Sequence, residues 1–379
     1  MKITGIRVQL CHFPLEAPFT PSWIPGFPMS MNSCALYRLQ TDEGHEGIAA
    51  GVAFADEAKG PVNLLRAFLI GRDPEADFDD IFKILRSSTR VLGIRSWHVE
   101  LALWDLIGKS RGEPVYRVLG GDRDRVRAYC STGELRSPEE NAERAVHRRE
   151  EGFAGIKLRV RFPSLEEDVA VVRAVREAVG PGMAVMVDAN QGWRVHGFGP
   201  YPEWDLERAT AFASAVEPFD LTWLEEPLDQ HAYAEYAELR ARTSVPLAAG
   251  EMLSDYTGFE ELIGHGSVDI LQPDATLSGG IRLGRDIARL AEEAGLGFAP
   301  HTWTNGVGLA ANLHVMAASP NCEWAEFPFD PPGWTPEGRD AMLAEPFRLD
   351  AEGNVRLPDR PGLGIELDEE RIAAHSEEL

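Results

Sequence analysis

The chain has 379 residues, 44% of them hydrophobic, with 61 acidic against 37 basic side chains and a net charge of −24. That balance, with a pI of about 4.8, excludes nucleic acid as a partner, because a polyanion would be repelled. Mean hydropathy is −0.22 and no uninterrupted apolar run reaches membrane length, so a membrane partner is excluded too.

The start, MKITGIRVQL, alternates like a strand and lacks the apolar stretch of a signal peptide, so a cytoplasmic location is expected. Cys11, Cys34, Cys130 and Cys322 are scattered with no C-x-x-C pair, which argues against a zinc site and a disulfide framework. Residues 1–125 read as a mixed α+β unit. Two strands meet at the turn Asp42-Glu43-Gly44, and helical patterns follow at about 61–70, 76–88 and 95–111. Between the first strands, EAPFTPSWIPGFPMSMNS is too rich in proline for a helix or a central strand. It is expected to be a long loop carrying Trp23, Ile24, Phe27 and Met29, either a lid over a pocket or part of an oligomer interface.

From Val126 the pattern becomes a strand followed by a helix, repeated. The strand-like runs are VRAYCST, GIKLRV, AVMVDAN, LTWLEEP, VPLAAGE, VDILQPD, LGFAPHT and CEWAEFP. Eight such units over 126–327 predict a barrel of the (β/α)₈ type, whose chemistry sits at the C-terminal strand ends. The connection 191–204 is long and rich in glycine, proline and aromatics; it either shapes the pocket or packs on a neighbouring subunit. The tail, about 328–379, reads as two short strands around Ala351-Glu352-Gly353 and a last helix, returning to complete the first unit as a cap.

The strand ends carry the chemistry. Strand two ends in Lys157 and Arg159, three in Asp188 and Asn190, four in Glu225 and five in Glu251. Strand six ends in Asp274, seven in His301 and eight in Glu326. Any one of the three acids, Asp188, Glu225 or Glu251, could be a loop carboxylate or a helix cap. Three converging carboxylates repel one another, and a hard cation preferring oxygen removes that cost; Mg²⁺ fits best. Lys157 and the cation would neutralise a bound small-molecule carboxylate and the charge that develops on removing its α-proton. His301 can take that proton, with Asp274 orienting the imidazole. The plainer alternatives are a structural histidine, a helix cap at Asp274 and a salt-bridge acid at Glu326.

The ordered set K-x-R, VDAN, WLEEP, AAGE, ILQPDATLSGG and PHTW, with VELALWDLIGKSRGEPVYRVLGG before it and PGLGIELDEE after it, resembles the enolase superfamily and its mandelate racemase subgroup. The resemblance implies a capping α+β domain on a modified TIM barrel, (β/α)₇β. It implies Mg²⁺ on Asp188, Glu225 and Glu251, a His301–Asp274 dyad, and Glu326 as hydrogen-bond donor to the substrate carboxylate. Asn190, Trp23, Phe27 and Trp303 would line the substrate, and a homo-oligomer, dimer to octamer, is expected.

The sequence departs from the family pattern where K-x-K has become Lys157-x-Arg159, and where HEGIAAGVAFA lacks the G-x-G-E run of the cap. A guanidinium is a poor base, so one face of the carbanion lacks a proton acceptor. This favours a one-base hydro-lyase, a Mg²⁺-dependent dehydratase of an aldonate or aldarate, over a racemase, epimerase or lactone cycloisomerase. A non-catalytic scaffold is the reading from another class; it predicts loss of an essential position, and none is lost.

Overall fold

The computed structural model describes residues 1–52, 55–93, 95–193 and 202–379. Three antiparallel strands open the chain: β1 (Ile3–Phe19), β2 (Met29–Thr41) and β3 (Glu46–Gly51). Helices α1 (Ala55–Leu69), α2 (Phe78–Leu92), α3 (Trp97–Arg111) and α4 (Val115–Val118) follow. The expected loop between β1 and β2 is shorter than the prolines suggested. β1 runs on to Phe19, absorbing Pro14 and Pro18 through a register shift between Pro14 and Phe19. Proline is tolerated where the ladder is already interrupted. Met29 opens β2, so only residues 20–28 connect the strands.

Among the described residues, eight strands then alternate with seven helices: β4 (Arg125–Ser131), α5 (Pro138–Glu150), β5 (Gly155–Arg159), α6 (Leu165–Val179), β6 (Ala184–Asp188), α7 (Leu206–Val216), β7 (Trp223–Glu225), α8 (Tyr233–Arg240), β8 (Leu247–Ala249), α9 (Tyr256–His265), β9 (Ile270–Leu271), α10 (Gly280–Glu293), β10 (Gly297–Phe298), α11 (Gly306–Ala317) and β11 (Trp324–Pro328). Neighbours pair in parallel from β4 to β10, and β11 pairs in parallel with β4. A single parallel bridge, Phe298 to Cys322, closes the ring. This is the (β/α)₇β barrel with a separate antiparallel cap sheet. Local chemistry starts the helices where they should start. Ser137 with Glu140, and Ser164 with Glu167, form reciprocal capping boxes at α5 and α6.

The barrel interior is a small cluster of its own. Tyr129, Met186, Trp223, Ala248 and Ala299 fill it, with Ile270 and Trp324 against them. The alternate residues Ile156, Leu158, Val185, Val187, Leu224 and Leu271 join the larger core under the helices. Side chains on a strand repeat every two residues. Two residues beyond the interior layer therefore stand Ser131, Asp188, Glu225, Gln272, His301 and Glu326, all buried.

In the tail, the strand after the 351–353 turn, β12 (Asn354–Arg356), pairs antiparallel with β4 of the barrel rather than with the cap. The last helix, α13 (Glu369–His375), leads into β13 (Ser376–Glu378), which pairs with β1. The short α12 (Pro336–Arg339) lies before β12.

Helix α3 fastens the first unit to the barrel. The Trp97 indole donates to the Thr276 carbonyl at 2.6 Å. The Glu100 carboxylate accepts the Ile281 and Arg282 amides, each at 2.9 Å, and so caps α10 from another part of the chain. Among the described residues, no helix is long and apolar enough to cross a membrane.

Candidate active site

Asp188, Glu225 and Glu251 each present a carboxylate oxygen within 4.8 Å of the other two, and all three side chains are buried. Asp188 and Glu225 are the inward-facing last residues of β6 and β7. Glu251 is out of phase: strand alternation would point it outward, as it does Ala249. Gly250 corrects this. It has φ of +125°, a backbone state that disfavours side chains, and the kink turns Glu251 into the site.

Each acid is held by donors. Asp188 accepts the Asn190 amide at 2.7 Å, the Asn190 side chain at 2.9 Å and a guanidinium hydrogen of Arg159. Glu225 accepts Lys157 at 2.6 Å, the Trp223 indole at 2.8 Å and Gln272 at 2.8 Å. Glu251 accepts the Trp193 indole at 3.0 Å. Burial pushes Asp188 up to about 8, against the pull of Arg159, and burial likewise raises Glu251. Burial acts on Glu225 too, but Lys157 outweighs it and leaves that carboxyl below its usual range. An oxygen-only cluster this compact suits a small hard cation: at about 2.1 Å from each oxygen, Mg²⁺ needs ligands about 3–4 Å apart. The three acids can hold a metal.

Lys157 is fully buried between Glu225 and Glu326, at 2.6 and 2.7 Å. Burial alone would discharge it, yet the two acids raise its affinity for the proton above the ordinary lysine value. It is a fixed positive charge. Arg159 donates to Asp188, to the Thr132 carbonyl at 2.6 Å and to Ser131 at 3.2 Å. Its guanidinium lies 5.2 Å from the Trp23 ring and 5.3 Å from the Trp303 ring. Asp188 and its acidic neighbours, outweighing burial, keep it charged.

Across the mouth, His301 Nδ1 lies 2.9 Å from Asp274 Oδ2, and Nε2 points at Glu251 Oε2, 3.4 Å away. The other Asp274 oxygen accepts the Thr276 amide at 2.6 Å, the Thr276 hydroxyl at 2.8 Å and the Asn312 side chain at 3.0 Å. Asp274 thus caps the π-helical turn Ala275–Gly279 with one oxygen and holds the His301 imidazole with the other. Burial would lower the His301 pKa, but Glu251, Glu326 and Asp274 outweigh it and lift it to about 10. In this arrangement the imidazole carries its proton; engagement of the Glu251 charge by a cation favours the neutral base.

Glu326 stands on β11. It accepts from Ser131 at 2.6 Å and the Thr302 amide at 2.7 Å, besides Lys157. Burial is overcome by Lys157, then His301 and Arg159, which hold it at about 2.

The 20–28 connection comes to the mouth through Ser22, whose hydroxyl donates to Asn190 at 2.8 Å. Trp23 meets Trp303 edge to face at 4.9 Å, and Phe19 stacks on Trp303 at 5.8 Å. Phe27 is 56% exposed, unlike Trp23 and Trp303, which are half-buried. Of the 191–204 connection, residues 194–201 lie outside the described residues, as do 53–54 of the HEGIAAGVAFA run. Sequence reasoning overlooked Ser131, Gln272 and Trp193. The first two had a signal, since each stands on the inward phase of its strand; Trp193 had none.

Residues 140–371 match the family described as enolase C-terminal domain-like, and residues 10–120 match the mandelate racemase / muconate lactonizing enzyme N-terminal domain. The chain is 33% identical to a D-galactarolactone cycloisomerase of Agrobacterium fabrum, covering 98% of both chains. It is also 33% identical to an L-talarate/galactarate dehydratase of Salmonella typhimurium, over 97% of this chain and 90% of that one. The structure of L-talarate dehydratase from Polaromonas sp. JS666, complexed with Mg and L-glucarate, superposes with a TM-score of 0.85 at 32% identity, covering 100% of this chain and 98% of the other. With the eight-strand barrel, its antiparallel cap and the acids at the strand ends, these matches establish that the chain is a member of the enolase superfamily of enzymes, of the mandelate racemase / muconate lactonizing enzyme type.

Proposed function

We propose that this enzyme dehydrates a sugar acid, an aldonate or aldarate, to the 2-keto-3-deoxy acid, with Mg²⁺ held by Asp188, Glu225 and Glu251. The observation that carries this reading is the asymmetry of the mouth among the described residues: the His301 imidazole on one side, and on the other Lys157 and Arg159, both kept charged by their neighbours. The cation, when bound, supplies a fixed charge that neutralises the substrate carboxylate. The chain's residues do the rest. Lys157 offsets the second negative charge of the enediolate as it forms. His301 Nε2 takes the α-proton, held in the right tautomer by Asp274. The same proton returns to the β-hydroxyl as it leaves, so one water is lost and the enol product rearranges to the ketoacid. Arg159, pinned to Asp188 and set against the Trp23 and Trp303 rings, orients the substrate rather than exchanging protons.

Support for the substrate class comes from the relatives that dehydrate galactarate, arabinonate and galactonate. The full-length similarity to a cycloisomerase favours a second reading, a lactone isomerisation through the same α-proton chemistry. Acid sugars and their lactones, incubated with enzyme and Mg²⁺ in deuterated water, separate the two. Dehydration gives a ketoacid. Deuterium entering recovered substrate, or a rearranged lactone, with no ketoacid formed overturns it.

A further inference from the structure

Among the described residues, one acid beside the cluster stands without a donor. Glu226 follows Glu225 at the end of β7 and is 1% exposed, and neither of its carboxylate oxygens has a hydrogen-bond partner. Its backbone is fixed: the amide donates to the Ala248 carbonyl at 3.0 Å, and its carbonyl accepts from Gln191 at 2.9 Å. It holds φ of +45°, a conformation that glycine and asparagine adopt far more readily than glutamate.

The chain makes room for this side chain. A Cβ placed on Gly192 would lie 2.1 Å from Glu226 Oε1 and 2.5 Å from Oε2, so the carboxylate rests against the bare backbone there. The next residue, Trp193, is the donor to Glu251. Among charged groups, Glu251, Asp188 and Glu225 act on Glu226 most strongly, in that order. Yet it is not one of the three carboxylates whose oxygens converge. It sits beside the cluster, outside the ligand set.

Burying an unpaired carboxylate is costly unless donors meet it. Mg²⁺ gives up its water reluctantly and usually keeps several, whose protons point away from the ion and need acceptors. We infer that Glu226 accepts hydrogen bonds from water on the cation held by Asp188, Glu225 and Glu251, and is a positioning residue of the metal. The inference rests on the metal reading above and goes beyond it in assigning a fourth acid a role.

The test is calorimetric titration of Mg²⁺ into the full-length, metal-stripped protein, with Glu226→Gln and Glu226→Ala beside the wild type. Outer-sphere partners of this kind govern roughly 10- to 100-fold in metal affinity. The alanine variant is expected to weaken Mg²⁺ binding by that factor. The glutamine variant, whose amide oxygen still accepts, is expected to weaken it less. Thermal melting with and without Mg²⁺ gives a second readout. Loss of an acceptor for the metal's water shrinks the Mg²⁺-induced rise in melting temperature of Glu226→Ala, whereas loss of a purely structural contact would lower the metal-free melting temperature and leave that rise unchanged. If the alanine variant does not fold, the glutamine variant decides. Variants that bind Mg²⁺ within twofold of a binding wild type overturn this inference alone. A wild type that takes up no Mg²⁺ overturns the metal reading and this inference together.

Discussion

Replacing Asp274 by asparagine changes a single oxygen to an amide nitrogen, and the surroundings dictate where that nitrogen goes. Asp274 Oδ1 is met by three donors, the Thr276 amide, the Thr276 hydroxyl and the Asn312 side chain. The asparagine carbonyl must stay there, which turns its NH₂ toward His301 Nδ1, 2.9 Å away in the native pair. Two donors cannot face each other, so the imidazole moves its proton to Nε2. That nitrogen is the one pointing at Glu251 and the reaction space, and it can then no longer accept a proton. In the serine protease triad the same wrong-tautomer effect costs about 10⁴ in kcat, which is about 5.5 kcal/mol of barrier. The assay is single-turnover loss of the α-deuteron from labelled substrate, alongside ketoacid formation. Both are expected to fall by about 10⁴ together, with Mg²⁺ affinity within a few-fold of native. A folded Asp274→Asn enzyme that loses less than tenfold in α-proton transfer would refute His301 as the base.

Asp188→Asn is expected to abolish the rise in melting temperature that Mg²⁺ gives the native protein, worth about 2.7 kcal/mol at a hundredfold excess over Kd; an unchanged shift would dissociate Asp188 from the metal. Trp23→Ala strips one aromatic face from Arg159, a contact of about 1–2 kcal/mol, and is expected to raise KM on the order of tenfold while leaving Mg²⁺ affinity unchanged. Burial holds His98 and His314 down to about 4, and His314 Nδ1 already accepts the Tyr116 amide at 3.0 Å. The unfolded chain takes up these protons near the ordinary histidine value and the folded chain only near 4. Stability is therefore complete above about 6.5 and is lost as pH falls through 6.5 to 4, by about 3 kcal/mol per histidine. Urea unfolding at stepped pH checks this, and His314→Asn should flatten the acid limb.

The barrel and much of its mouth were readable because inward residues recur every second position. Once AVMVD and LTWLE are read as strands, Asp188 and Glu225 must share a face with Met186 and Trp223 beneath them. The same rule would have found Ser131 and Gln272, had the small polar ends of those strands been given equal weight. Other features obey no short-range pattern. Glu251 points inward only because Gly250 breaks phase, and the continuation of β1 to Phe19 depends on a partner strand that tolerates a register shift. The pairing of Glu326 with Lys157, 169 positions earlier in the chain, likewise follows no short-range pattern.

The fastening at α3 bears on engineering. Trp97 grips the carbonyl of Thr276, and Thr276 in turn holds Asp274, while Glu100 caps α10. Exchange of the first 120 residues with those of a relative would therefore disturb more than the 20–28 connection. It would slacken the segment that carries Asp274 and, through it, His301. A chimera should transplant residues 275–282 along with the donor's cap, or keep Trp97 and Glu100 in the graft, if turnover is to survive the swap.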